Sequence, residues 1–149
     1  MAAIRFDKVS RVFSVKSRSV QALETIDLEV ADRECVAIVG PSGCGKTTCL
    51  RMAAGLEFPT AGDVTVGGER VRRPGPSRAV VFQQFALFPW QSVAENISFG
   101  LCNIGLPRSV REERVRHYVD LMRLRGYEDA LPHQLSGGEQ QRVAIARAY

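Results

Sequence analysis

No apolar run in the 149-residue chain approaches the ~18 residues needed to cross a bilayer. The opening Met1-Ala2-Ala3-Ile4-Arg5-Phe6-Asp7 has no h-region, so it reads neither as a membrane span nor as a secretory signal, and the chain is expected to remain in the cytoplasm. Cys35, Cys44, Cys49 and Cys102 make no CxxC pair, and no histidine stands at metal-ligand spacing from them. Neither a zinc site nor a disulfide framework is indicated, and reduced thiols are expected. Long blocks of one charge are missing too. The 20 Lys and Arg against 16 Asp and Glu give a formal charge of +4 spread along the sequence, which suits an anionic ligand without demanding nucleic acid. There are no internal repeats and no low-complexity stretches. At 45% hydrophobic and 24% charged residues, the composition is that of an ordinary soluble protein with one domain, or part of one.

Several segments have a readable pattern. Ile4-Arg5-Phe6-Asp7-Lys8-Val9 and Val20 to Val30 predict strands, with a polar loop from Ser14 to Ser19 between them. Cys35 to Val39 is apolar at every position, the pattern of a strand covered on both faces of a parallel sheet. Gly62 to Gly67 predicts a short strand bounded by turn glycines, and Arg78 to Phe82 another apolar strand ending at Gln83-Gln84. From Ser92 onward the pattern is helical. Ser109 to Leu124 carries Val115, Val119 and Met122 at i, i+4 and i+7, so it predicts a surface helix with one buried stripe.

The stretch Gly40-Pro41-Ser42-Gly43-Cys44-Gly45-Lys46-Thr47-Thr48 fits GxxxxGK(S/T) through Gly40, Gly45, Lys46 and Thr47, between an expected strand and an expected helix. Glycines let successive backbone N–H groups turn inward as an anion nest, and the helix that follows adds its positive end. Lys46 would reach the terminal phosphates of a nucleotide, and the Thr47 hydroxyl would ligate a Mg²⁺ bridging phosphate oxygens. The alternative is a plain glycine-rich strand-to-helix turn. A second glycine-bared helix start follows at Ser136-Gly137-Gly138-Glu139, where Ser136 is placed as an N-cap and Gly137 and Gly138 leave the first amides uncovered. By itself that stretch is equally an N-cap with a flexible lead; beside a P-loop it reads as a second anion site.

With these residues in view, the sequence resembles the nucleotide-binding domain of ATP-binding cassette (ABC) transporters. Gly40 to Thr48 is similar to the Walker A motif, and Leu135-Ser136-Gly137-Gly138-Glu139 to the signature motif, the more specific of the two. Val81-Phe82-Gln83 resembles the Q-loop, and Gln83 is taken over Gln84 because it directly follows the apolar segment. Phe13 stands where the family places an aromatic that stacks on adenine, although an edge-strand core role fits it equally. The resemblance implies an α/β fold with a P-loop NTPase core, an N-terminal antiparallel β part and a helical subdomain, divided as residues 1–84 and 85–149. It further implies ATP and Mg²⁺ as cofactors, Lys46 and Gln83 in catalytic roles, and Thr47 and Gln83 at the metal.

The resemblance carries further expectations. The family continues into further strands bearing the Walker B aspartate, a catalytic glutamate and a switch histidine, which have no position in these residues. Residues 1–149 alone are therefore expected to be inactive and poorly stable. Expected partners are a transmembrane permease subunit, a second copy of the chain arranged head to tail and, indirectly, a substrate-binding protein, with no nucleic acid. The expected location is cytoplasmic, peripheral on the inner face of the membrane. Phe85 to Ile97 corresponds to the segment that touches the membrane subunit. Its Pro89-Trp90 pair resembles importers of nitrate, sulfonate, taurine and similar small anions; the other reading of Trp90, the only tryptophan, is a buried anchor. A nucleotide-binding fragment without turnover, or a soluble ABC ATPase not coupled to transport, remain the alternative functions.

Overall fold

The computed structural model describes residues 3–15, 18–102 and 104–149. It divides into two units, Met1–Arg78 and Ala79–Tyr149.

The first unit is built on a long antiparallel pair, β1 (Ile4–Val15) and β2 (Arg18–Val30). β3 (Ala61–Val66) pairs antiparallel with the other edge of β1, and the two-residue β4 (Glu69–Arg70) closes the sheet in the order β2-β1-β3-β4. The register of β1 slips against β2 between Phe6 and Val9, Val9 and Arg11, and Arg11 and Val12, and against β3 between Asp7 and Ser10. Lys8 there has a φ of 49°, and its N–H donates to Asp27 Oδ1 at 2.8 Å, so a side-chain acceptor replaces the ladder bond that the bulge removes. The loop expected from Ser14 to Ser19 is shorter than the sequence suggests, because both strands run into it; Lys16 and Ser17 lie outside the described residues.

Helix α1 (Lys46–Ala54) follows the glycine-rich stretch and turns Cys49 and Met52, three residues apart, into the core. It closes with Gly55 N–H on Met52 O at 3.0 Å and Leu56 N–H on Arg51 O at 2.8 Å, which satisfies carbonyls that the helix end would otherwise leave open. Phe6, Val9 and Leu23 from β1 and β2, with Val64 and Val71, complete the core around Met52. Desolvation holds the Cys49 thiol above its ordinary pKa.

Two expected strands are corrected. Neither Cys35–Val39 nor Arg78–Phe82 enters a ladder among the described residues. Val39 is 90% exposed, and Val36, Ile38, Val81 and Phe82 are exposed as well. An apolar run becomes a strand only when neighbouring strands satisfy its N–H and C=O groups, and among the described residues no strand pairs with either run.

The second unit is helical: α2 (Val93–Cys102), α3 (Arg108–Leu121), a single 3₁₀ turn at Pro132–Gln134, and α4 (Gly137–Ala148). Val93, Ile97, Val119, Leu124, Leu135, Val143 and Ala146 form its core. The expected stripe of α3 faces that core, with Val119 buried and Val115 and Met122 packed beside it. Ser92 and Glu95 cap α2 reciprocally, through Glu95 N–H on Ser92 Oγ at 3.2 Å and Ser92 N–H on Glu95 Oε2 at 2.7 Å.

Met52 is fully buried whereas its neighbour Leu50 is half-exposed. Met52→Ala is expected to lower unfolding free energy by about 2–5 kcal/mol and Leu50→Ala by less than about 1 kcal/mol. Denaturant midpoints of the two variants check this, and equal losses would contradict the packing described.

Candidate nucleotide site

In the first unit, the loop Gly40–Thr48 leads into α1. Gly43 and Gly45 sit at φ of 83° and 93°, the left-handed region that glycine enters without strain. At Gly45 a side chain would also meet Ala22 O at 2.7 Å and Leu23 Cδ1 at 2.8 Å, so the loop lies directly on the backbone of β2. The first helical bond of α1 is Cys49 N–H on Gly45 O at 2.9 Å, which leaves the amides of Lys46, Thr47 and Thr48 without helical acceptors. No acidic residue stands in that first turn. Free amides, a positive helix end and no competing carboxylate suit an anion.

The Lys46 ammonium is folded back on this loop. Nζ donates to Gly40 O at 2.8 Å and to Pro41 O at 2.7 Å, and lies 3.6 Å from Cys44 Sγ. A positive charge is thereby held at the loop by two neutral carbonyls, contacts that phosphate oxygens would outcompete. Pro41, Ser42 and Cys44 are exposed, as is Thr47, while Thr48 is half-buried. Phe13 lies on β1 opposite Val20. It is half-buried and stands outside the cluster of buried residues, with the Arg11 guanidinium 4.4 Å above its ring centroid. Arg11 in turn pairs with Glu57 at 2.6 Å.

Gln83 and the Ser136–Glu139 stretch belong to the second unit. Gln83 and Gln84 are both exposed in an irregular segment. Ser136 caps α4 in a closed reciprocal arrangement: Glu139 N–H donates to Ser136 Oγ at 3.4 Å, while Ser136 N–H and its hydroxyl both donate to Glu139 Oε2 at 2.7 Å. The Ser136 hydroxyl, then its backbone N–H, hold the Glu139 carboxyl below the ordinary glutamate range. A side chain at Gly137 would meet nothing within 4 Å, so the helix start is open to solvent at that point.

Three side chains that the sequence did not single out organise the segments around these residues, Arg11 in the first unit and Asn96 and Arg147 in the second. Asn96 is fully buried; its Oδ1 accepts from Phe88 N–H at 2.9 Å, and its Nδ2 donates to the carbonyls of Phe88, Gln91 and Ser92 at 3.2, 3.0 and 3.0 Å. It thereby fixes the Phe88–Ser92 turn. From α4, Arg147 donates to Ala86 O at 2.7 Å and Phe85 O at 3.2 Å, with its guanidinium 5.4 Å from the Phe88 ring. The helix that begins at Ser136 is thus tied to the segment just after Gln83. Arg11 is the third. Arg11 and Arg147 act across long sequence separations, which leave no local signature, whereas Asn96 holds residues close before it in the chain. Trp90 is 73% exposed, so it is no buried anchor.

A glycine-bared, lysine-bearing loop at the head of a helix is the pattern of the P-loop class of proteins. The ABC transporter family matches residues 23–149, and the chain belongs to that family. An uncharacterised ABC transporter ATP-binding protein of Methanocaldococcus jannaschii is 47% identical over 97% of the chain and 54% of its own length. The nitrate import ATP-binding protein NrtD of Synechocystis is 45% identical over 94% of the chain and 53% of its own length. The aliphatic sulfonates import ATP-binding protein SsuB of Bacillus cereus is 40% identical over 97% and 57%. A solved ATP-binding cassette, dimeric and in a post-hydrolysis state with ADP and Pi, superposes with a TM-score of 0.87 at 31% identity, over 97% of this chain and 68% of that one. The α/β ABC ATPase fold follows from that likeness. The chain spans about half the length of the curated relatives it matches.

Two outcomes follow from this geometry. Because the folded Glu139 carboxyl titrates below its unfolded value, the cap contributes fully above the ordinary glutamate pKa near 4.3 and is lost as pH falls through the lower folded value. The Glu139 carboxyl resonance should titrate below the ordinary range and return toward it in Ser136→Ala, with the start of α4 fraying more readily; an unmoved midpoint would refute the cap. Cys44 is exposed beside Lys46, so N-ethylmaleimide should block nucleotide binding, MgATP should protect, and Cys44→Ser should make binding insensitive to the reagent. Loss of binding in that variant on treatment would instead place the reactive thiol at exposed Cys35 or Cys102.

Proposed function

We propose that this chain binds MgATP through Gly40–Thr48 and belongs to the ATP-hydrolysing subunit of an ABC importer. The observation that carries the reading is Lys46, parked on Gly40 O and Pro41 O at the head of a helix whose first amides are free. Phosphate oxygens would take up those amides and the ammonium together. The Thr47 hydroxyl, with Gln83 by family resemblance, would hold Mg²⁺, which when bound neutralises phosphate charge and orients the terminal phosphoryl group. Among the described residues no cluster of His, Cys, Asp or Glu could hold a metal without the nucleotide.

Two copies would associate head to tail, each ATP lying between Gly40–Thr48 of one and Ser136–Glu139 of the other. The dimeric likeness and the importer names of the relatives support this arrangement and a permease partner. No helix among the described residues is long and apolar enough to cross a membrane, which fits a subunit seated peripherally on the inner face and driving transport through that partner. The cargo we propose is a small anion of the nitrate, sulfonate or taurine kind, supported by Pro89-Trp90 and by the nitrate and sulfonate relatives. A spermidine/putrescine import ATP-binding protein of Pseudomonas aeruginosa is 46% identical, so the Pro89-Trp90 pair carries most of that distinction.

Calorimetric titration of MgATP into the full-length protein tests the site. Lys46→Ala removes a charge-assisted contact and should weaken binding roughly 10- to 100-fold and abolish phosphate release. Unchanged affinity and turnover would contradict the assignment, and tight binding by the parent protein without any phosphate release would leave it a nucleotide-binding role alone.

A further inference from the structure

We propose that Arg11 is a positioning residue for the nucleobase, holding the Phe13 ring from one face so that the other is presented to a purine. The inference rests on the ATP-binding reading of this site and adds to it a residue outside the recognised motifs.

Arg11 and Phe13 are two apart on β1, and although the register against β2 shifts between Arg11 and Val12, their side chains meet. The guanidinium carbon stands 4.4 Å from the ring centroid, a stacked cation–π distance. Arg11 is not a loose surface cation that a ligand would sweep aside. Its Nη2 lies 2.6 Å from Glu57 Oε1, and the two side chains are only 23% and 21% exposed. The backbone is held at the same level, with Thr60 N–H on Ser10 O at 2.8 Å and Val12 N–H on Thr60 Oγ1 at 3.0 Å. A ring fixed in this way has little rotamer freedom left to lose when a base stacks on its open face.

The same framework reaches the phosphate loop by two routes. Arg11 pairs across the ladder with Leu23, the residue on which Gly45 rests. Glu57 stands just past Gly55 and Leu56, which close α1, and the first residue of that helix is Lys46. The base platform and the phosphate loop are therefore set by one strand pair and one helix within a single unit.

The test compares MgATP with inorganic tripolyphosphate, which lacks a base, as ligands of the full-length protein. Arg11→Ala should weaken MgATP roughly three- to tenfold, leave tripolyphosphate unchanged and have no further effect in a Phe13→Ala background. Arg11→Lys should recover part of the loss. Glu57→Gln, which preserves the shape of the pair, should weaken MgATP in the same selective way and carries the test if Arg11→Ala fails to fold. Equal loss for both ligands, an undiminished loss in the Phe13→Ala background, no loss, or tighter MgATP binding would overturn the proposal, the last by showing that Arg11 blocks the ring. The underlying site reading fails separately, and takes this proposal with it, if the parent protein binds neither ligand or Lys46→Ala changes neither affinity.

Discussion

The close approach of Gly45 to the backbone of β2 is the constraint on which the Gly40–Thr48 loop of the first unit depends. At a φ of 93°, with Ala22 O and Leu23 Cδ1 where a side chain would be, this position admits glycine alone without moving β2. That contact sets where α1 begins. The start of α1 determines which amides are free, and Lys46, as the first residue of the helix, is near enough to fold over Gly40 and Pro41. Burial of Cys49 and Met52 beneath the sheet then keeps the helix, and with it the loop, in one place. A phosphate cradle needs this kind of rigidity, because its donors must be aligned before the ligand arrives.

The second unit uses polar side chains for a similar end. Asn96 satisfies four backbone groups of the Phe88–Ser92 turn from a fully buried position, and Arg147 holds Phe85 and Ala86 against α4. Burial lowers the pKa of Arg147, yet guanidinium keeps its charge at any physiological pH. The segment after Gln83 is therefore held to the helix begun by Ser136 within the helical unit. At that helix start Glu139 is committed to the cap. A phosphate approaching Gly137 would meet open amides but also a nearby carboxylate, so this end is electrostatically poorer for an anion than the head of α1, whose first turn carries no acid.

What the sequence revealed of this architecture was what short spacing encodes. The P-loop is visible because glycine, lysine and threonine sit at fixed local offsets, and the cap of α4 because Ser136 and Glu139 are three residues apart. The strands β1, β2 and β3 are legible from apolar patterning and bounding turn residues and the stripe of α3 from helical spacing, while the antiparallel β part is an expectation of the family resemblance. Cys35–Val39 and Arg78–Phe82 read as strands on composition, but strand formation needs partners, and composition at one segment says nothing of whether a neighbour exists. Arg11 with Glu57, and Arg147 with Phe85 and Ala86, join residues brought together only by the fold. Asn96 reads locally as one polar residue in an apolar helix, and its role appears only once the turn it holds is seen. The roles proposed for Phe13 and Gln83 come from the family resemblance, since their own surroundings in the chain carry no comparable signal.

The central claim is that the loop Gly40–Thr48 is where nucleotide phosphate binds. The most direct measurement follows the backbone amide resonances of the isotope-labelled full-length protein as MgATP is added. The account predicts that the largest shifts fall on Gly43, Gly45, Lys46 and Thr47, with Phe13 responding to ATP but not to tripolyphosphate. Shifts confined to other surfaces, with these amides unmoved at saturating nucleotide, would contradict it.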